Sequence, residues 1–310
     1  MSKPDLSRIS DGEEGRIISL DKALREGVVS LEQHYNGRRD TFNPEELERA
    51  IEKAEEAHLF NFLYSDFVVT GIENVRKIGD AQKLYVSNHV SMSDFLVEAY
   101  IIWRRVIKGP EEFPRFIAGS NLFKWPFKKL WEKAGAVPID RNNKSMQYLR
   151  GFNNFVLYLL GQGKSTLVYP DGGRNPREEE GRFRSGVFGQ VIRTIESESK
   201  RDIQLVPMHI AYEHNPDLRF LDAAWWLKSR RDMSKSEFRK QFFDYAYFAT
   251  DVLSYGYRFV EGIMARQNRG KCYLDFGEPI SIRDVMCSNE RKRKSILTEI
   301  ARKGISKLKK

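Results

Sequence analysis

Residues 84–97 read Leu84-Tyr85-Val86-Ser87-Asn88-His89-Val90-Ser91-Met92-Ser93-Asp94-Phe95-Leu96-Val97. A short segment with the character of a buried strand (84–87) runs into a polar turn, and the turn opens onto an apolar stretch of helical character (94–103). The same rhythm repeats outward in both directions. Strands are expected at 67–71, 115–118, 136–139, 165–169, 203–209 and 271–276, with helices at 126–134, 145–160 and 187–196 between them. Strands alternating with helices predict an α/β fold, a mostly parallel central sheet flanked by helices. His89 sits where a strand ends and a helix begins, the position at which such sheets place ligands.

Toward the N-terminus, 43–66 reads as one amphipathic helix. Asn43 supplies an N-cap, Pro44 a first helical residue, and Leu47, Ala50, Ile51, Ala54, Ala57 and Leu59 recur at helical spacing. Residues 1–42 are polar and weakly periodic. The expected organisation is therefore an N-terminal helical extension (1–66), an α/β domain (67–290) and a basic C-terminal helix or tail (291–310). Within the domain, 215–268 interrupts the rhythm and holds 12 of the 38 Phe, Tyr and Trp residues, about twice an even share. That interval is either a helical cap with its own core or an apolar surface for a greasy ligand. No internal repeat is visible, which argues against a solenoid.

At 310 residues, 36.2 kDa, 31% charged and a mean hydropathy of −0.55, the chain is long enough to bury a sizeable core. The longest unbroken apolar run, 155–160, falls far short of the roughly 20 residues that span a bilayer, so an integral membrane protein is not expected. Residues 1–9 lack the apolar stretch of a signal peptide. Cys272 and Cys287 are too few for a disulfide scaffold or a zinc site, so a reducing cytoplasm is the expected compartment and no metal is expected. The net charge of +9 points to nucleic acid, an anionic membrane surface or phosphorylated substrates. Residues 291–310 alone hold nine Lys or Arg against one Glu. The basic excess and the aromatic interval lie in separate segments, which disfavours nucleic acid.

Four segments carry candidate chemistry. In the first, His89 and Asp94 would be splayed apart on a continuous helix, because five residues turn about 500°. They can meet only if His89 lies in the loop and Asp94 in the first helical turn. Asp94 would then hold one ring nitrogen and leave the other as a general base, since imidazole ordinarily titrates near 6.5. The plainer reading is that Ser91 and Asp94 cap the helix and His89 is a loop residue. The second segment is Val168-Tyr169-Pro170-Asp171-Gly172-Gly173-Arg174-Asn175. Its glycines let the backbone approach a ligand, and Arg174 offers a planar fork suited to phosphate; a tight turn with a solvated arginine is the alternative. The third, 135–141, is a strand delivering Asp140-Arg141. The fourth is 205–213, with Val206-Pro207. Each is ordinary alone.

In this order, however, the four resemble the motifs of the glycerolipid acyltransferase superfamily, N-H-x-x-x-x-D, G-x-x-x-I-D-R, E-G-T-R or E-G-G-R, and V-P-x-x-I. The resemblance covers about 67–279. Gly172-Gly173, the stretch Ala118-Gly119-Ser120-Asn121-Leu122 and Ala211-Tyr212-Glu213-His214 look closer to the glycerol-3-phosphate and dihydroxyacetone-phosphate branch. Ile139-Asp140-Arg141 is commoner in the 1-acylglycerol-3-phosphate branch. Asp171 stands where the family has glutamate, one methylene shorter, which raises the alternative of a catalytically silent lipid-binding homologue.

The resemblance implies direct attack by a glycerol hydroxyl on an acyl thioester, with no covalent intermediate and no cofactor beyond the co-substrate, acyl-CoA or acyl carrier protein. His89 would be the base and Asp94 its orienting partner. The oxyanion would be held by backbone N–H groups near a helix starting at Ser91. Asp171, Gly172 and Gly173 would face the substrate, and Arg141 and Arg174 would hold its phosphate, with Lys124 and Arg184 as weaker candidates. The aromatic interval, Trp225 and Trp226 included, would supply part of an acyl groove or its lid. Partners would be the acyl thioester, a glycerol phosphate and, peripherally, the cytoplasmic face of an anionic membrane. For that last contact the tail presents Ile296, Leu297, Ile300, Ile305 and Leu308 among its basic residues, interrupted by Gly304.

Overall fold

The computed structural model describes residues 38–120, 123, 128–140, 143–171, 173–175, 186–197, 202–215, 270–285 and 290–308, together with positions 226–227, 230, 233–234, 236, 238–239, 242–243, 245–246, 249–250 and 253. In chain order the strands are β1 (Asp66–Thr70), β2 (Gln82–Ser87), β3 (Arg115–Gly119), β4 (Ala136–Ile139), β5 (Thr166–Val168), β6 (Ile203–Tyr212), β7 (Lys271–Phe276) and β8 (Ile280–Ser281). The helices are α1 (Pro44–Glu56), α2 (Leu59–Leu63), α3 (Ile72–Lys77), α4 (Asp94–Ile101), α5 (Lys128–Lys133), α6 (Met146–Gly161), α7 (Gly186–Ser197), α8 (Ile282–Val285) and α9 (Glu290–Leu308).

The strands form one sheet in the order β1-β7-β6-β2-β5-β3-β4, with β8 paired onto β6. The five strands β6, β2, β5, β3 and β4 are parallel. β7 pairs antiparallel to β6 and parallel to β1, so the edge pair runs the other way. The expected mostly parallel sheet is present, with this reversal at one side. Both faces are covered, which is why every residue of β2 is buried. Tyr85 joins a core with Leu47 and Ile51 of α1, Phe95 of α4 and Trp131 of α5. Leu84 and Val86 point the other way, into a core built by Phe155 and Leu159 of α6, Val191 and Ile195 of α7, and Leu297 of α9. The residues that follow β2 and β5 therefore emerge at one end of the parallel strands.

Two elements depart from the sequence reading. The single helix expected over 43–66 is two. Asn43 caps α1 as expected, its side chain accepting the Glu46 N–H at 3.0 Å, but His58 takes a left-handed conformation (φ 51°) and redirects the chain into α2. The reason is phase: Phe60 lies nine residues beyond Ile51, about 900° or half a turn out of register on a straight helix, and both are buried. The second departure is the tail. α9 passes unbroken through Gly304, where a Cβ would lie 2.5 Å from Cγ of Pro207 on β6. Of the apolar residues expected at a bilayer, Leu297 and Ile305 are buried in the core together with Ala301, Ile296 and Ile300 are half-buried, and the Leu308 side chain lies outside the described residues; Arg302 and Lys303 point outward. Most of the aromatic interval lies outside the described residues; among those described, Trp226, Phe238, Phe242, Tyr245 and Leu253 are exposed, Phe238 at 79%, while Phe243 is half-buried beside Phe242. Among the described residues no helix is long and apolar enough to cross a membrane.

Candidate active site

β2 stops at Ser87 and α4 starts at Asp94, leaving His89 in the intervening loop and Asp94 in the first helical turn. The Asn88 side chain locks the start of this loop to β6, donating to the Ile210 carbonyl at 2.9 Å and accepting the Ile210 N–H at 2.8 Å. It thereby extends the β2–β6 ladder by one side-chain rung. His89 Nδ1 lies 2.8 Å from Asp94 Oδ2. The same oxygen accepts the N–H groups of Val90 at 2.7 Å and Ser91 at 2.9 Å, and Oδ1 accepts the Tyr212 hydroxyl at 2.7 Å. Asp94 thus both ties down the loop residues before the helix and holds the histidine. Asp94 is fully buried, whereas the His89 side chain is 17% exposed and reachable from outside.

These bonds narrow one expectation. The N–H groups of Val90 and Ser91 are engaged by Asp94, that of Ser93 by the Ser91 hydroxyl and that of Asp94 by the Ser91 carbonyl. The start of this helix therefore does not offer those four to an oxyanion.

The second motif closes onto the first. Asp171 Oδ2 accepts the His89 N–H at 3.2 Å, and the Asn175 N–H donates to the His89 carbonyl at 2.6 Å. The loops after β2 and β5 are thus joined on both sides of His89. Burial pushes the Asp171 carboxyl up, against the opposing pull of the His89 N–H, the imidazole and the Arg302 guanidinium from α9. Gly173 and Arg174 are half-buried beside it. Gly172 and Arg141 lie outside the described residues, as do Lys124, Arg184 and Trp225. β4, which leads to Arg141, is the edge strand, three places from β2.

Several site residues were not anticipated in these roles. Tyr212 holds the far side of Asp94, and burial keeps its hydroxyl well above the usual range, as a donor. Tyr64, before β1, bonds Ser93 at 2.7 Å and stacks on Tyr212. Tyr169 stacks on the His89 ring, centroids 4.4 Å apart at 24°. Its hydroxyl donates to Glu98 Oε2, and Ser87 donates to Oε1, each at 2.5 Å. Most of these contacts join residues 29 to 118 positions apart, beyond the reach of local spacing. The one available signal was Glu98, an acid four residues after Asp94 on an otherwise apolar helix. Among the described residues no three His, Cys, Asp or Glu side chains converge as metal ligands would.

The arrangement has close relatives in kind. Residues 66–211 match the family model described as Acyltransferase. Over 232 residues the chain is 27% identical to a glycerol-3-phosphate acyltransferase of Baumannia cicadellinicola subsp. Homalodisca coagulata, covering 72% of this chain and 25% of the relative. Over 285 residues it is 25% identical to the enzyme of the same name from Histophilus somni, covering 89% and 31%. The chain thus spans between a quarter and a third of these curated relatives. Among solved structures, the 1-acyl-sn-glycerophosphate acyltransferase PlsC of Thermotoga maritima aligns at a TM-score of 0.44 with 18% identity, over 85% of this chain and 80% of that one.

Proposed function

We propose, from the match of residues 66–211 to the acyltransferase family model, that the protein transfers a fatty acyl group from an acyl thioester to a hydroxyl of glycerol 3-phosphate. The observation that carries the reading is His89 Nδ1 at 2.8 Å from the buried Asp94 carboxylate, at the mouth of the parallel strands. Held there, the imidazole keeps its second nitrogen, Nε2, for the acceptor. As the hydroxyl oxygen attacks the thioester carbonyl, Nε2 takes its proton and Asp94 supports the imidazolium that forms. Collapse of the tetrahedral intermediate breaks the C–S bond, and the imidazolium returns the proton to the departing thiolate. No serine or cysteine nucleophile is required.

The substrate phosphate carries close to two negative charges and calls for convergent cations, which the motifs supply as Arg141 and Arg174. Asp171, although one methylene shorter than the glutamate of the motif, is engaged with the His89 backbone. That engagement supports a role in closing the two loops together. The exposed side chains of Trp226, Phe238, Phe242 and Tyr245 suit the acyl chain, which gains roughly 0.8 kcal/mol per buried CH₂, or the bilayer that delivers it. Peripheral attachment to an anionic membrane then rests on outward charges such as Lys303 and on those side chains, since Leu297, Ala301 and Ile305 of α9 lie in the core.

A donor-by-acceptor matrix tests the reading. Acyl-CoA and acyl carrier protein are each offered with glycerol 3-phosphate, dihydroxyacetone phosphate and 1-acylglycerol 3-phosphate. Preferred use of glycerol 3-phosphate is expected. Preference for the 1-acylated acceptor, to which Ile139-Asp140-Arg141 points, would move the enzyme to the second acylation step. No transfer to any acceptor would leave a lipid-binding homologue.

A further inference from the structure

We propose that Glu98 and Tyr169 form a positioning pair for His89, in which Glu98 anchors the Tyr169 hydroxyl and the Tyr169 ring fixes the plane of the imidazole. The proposal rests on the reading of His89 as the base. The bond to Asp94 fixes His89 at one atom only. A ring tethered at Nδ1 still swings about that line, because the torsion to an sp² ring is broad. A second contact, on the ring face, removes that freedom, and Tyr169 supplies it at 4.4 Å and 24°. Tyr169 follows β5 directly, and its far end is held in turn: its hydroxyl reaches Glu98 Oε2 at 2.5 Å, while Ser87 holds the other oxygen at 2.5 Å.

Asp94 and Glu98 lie four residues apart on α4, on one face of one helix, and both are completely buried. The first carboxyl meets the edge of the histidine and the second meets the tyrosine stacked on its face. Their surroundings separate their roles. Asp94 accepts two backbone N–H groups, a tyrosine hydroxyl and the imidazole. Burial, reinforced by the neighbouring Asp94, pushes the Glu98 carboxyl well above its usual range. Both Glu98 oxygens are engaged by hydroxyls, which can turn to accept as well as donate, so glutamine can bond Ser87 and Tyr169 together and leucine can bond neither. The electron-rich face of Tyr169 also favours the imidazolium formed as the hydroxyl attacks. The other groups around His89 are the Asp94 carboxylate on α4 and the Asp171 carboxyl at its backbone, the latter under the influence of Arg302 on α9.

The test is steady-state kinetics and kcat–pH profiles of His89→Ala, Glu98→Gln, Glu98→Leu, Tyr169→Phe and Tyr169→Leu, with thermal unfolding of each. Glu98→Gln is expected to keep kcat within about threefold with an unchanged profile. Tyr169→Phe, which keeps the ring and frees its far end, is expected to lose about three- to tenfold in kcat. Tyr169→Leu and Glu98→Leu are expected to lose roughly 10–100-fold, with KM for both substrates little changed. For Tyr169→Leu the kcat–pH profile should also change, because the ring face that favours the imidazolium is gone. Wild-type kcat and profile in both Tyr169 variants, alongside an inactive His89→Ala, would overturn the pair and leave the base in place. An active His89→Ala would overturn the base itself. Glu98→Gln as damaging as Glu98→Leu would likewise defeat the proposal, as would losses confined to KM. Should the leucine variants fail to fold, the near-isosteric Tyr169→Phe and Glu98→Gln decide alone.

Discussion

Three donors converge on Asp94 Oδ2 and a fourth on Oδ1, so the carboxylate supports the loop before the helix and the imidazole together. Asparagine can present its oxygen to the three and its NH₂ to Tyr212, which preserves the geometry and removes the charge. Asp94→Asn is therefore expected to fold, with a stability loss of about 1–3 kcal/mol, and to lose about 10²–10⁴ in kcat. Thermal unfolding and steady-state kinetics separate the two effects. Glu98 predicts a pH dependence of the opposite kind from a salt-bridged acid. Its carboxyl is raised in the folded protein above an ordinary value near 4.5, so above that pH the unfolded chain releases a proton the folded chain retains. Stability attributable to Glu98 is then present in full below that pH and lost as pH rises, by up to about 1.4 kcal/mol per unit. Glu98→Gln removes this slope, and denaturant titrations of both proteins between pH 4 and 7 should show wild type losing ground steadily to the variant.

At the level of elements, strands and the helices between them were legible because a doubly covered parallel sheet writes itself as short continuous apolar runs, as in Leu84-Tyr85-Val86. The spacing of His89 and Asp94 showed only that a loop-then-helix geometry was needed for the two to meet; the pair was singled out by the order of the four motifs. The reversal of β7 was not legible, since strand direction leaves no mark on a residue pattern once more than fifty residues separate β6 from β7. The two partners of the histidine face, Tyr169 and Glu98, needed the fold to bring β5 against α4. α9 shows how composition misleads. Apolar residues such as Leu297 and Ile305 amid basic ones suit a bilayer and a sheet equally, and it is their burial, with the close fit of Gly304 on Pro207, that places them on the sheet. Two substitutions check this packing. Leu297→Ala is expected to cost about 2–5 kcal/mol. Gly304→Ala, which in an exposed helix would stabilise by about 1 kcal/mol, should here destabilise by about 1–3 kcal/mol because the new methyl meets a proline ring. A stabilised Gly304→Ala in chemical unfolding would contradict the contact.

For the whole molecule, the net charge of +9 is largely the charge of residues 291–310, carried on a helix whose inner side belongs to the core. Neutralising Lys303, Lys307, Lys309 and Lys310 to glutamine should weaken partition onto anionic vesicles by roughly fivefold per charge and reduce its salt dependence, without altering unfolding. Unchanged partition would assign the membrane contact to the exposed side chains of Trp226, Phe238, Phe242 and Tyr245 instead. The central claim, that His89 supplies the base for acyl transfer to a glycerol phosphate, is tested most directly by comparing wild type with His89→Ala in one thioester-to-glycerol-3-phosphate assay. The account predicts transfer by wild type and a loss of about 10²–10⁴ in kcat in a variant that remains folded. Transfer at the wild-type rate by His89→Ala would contradict it.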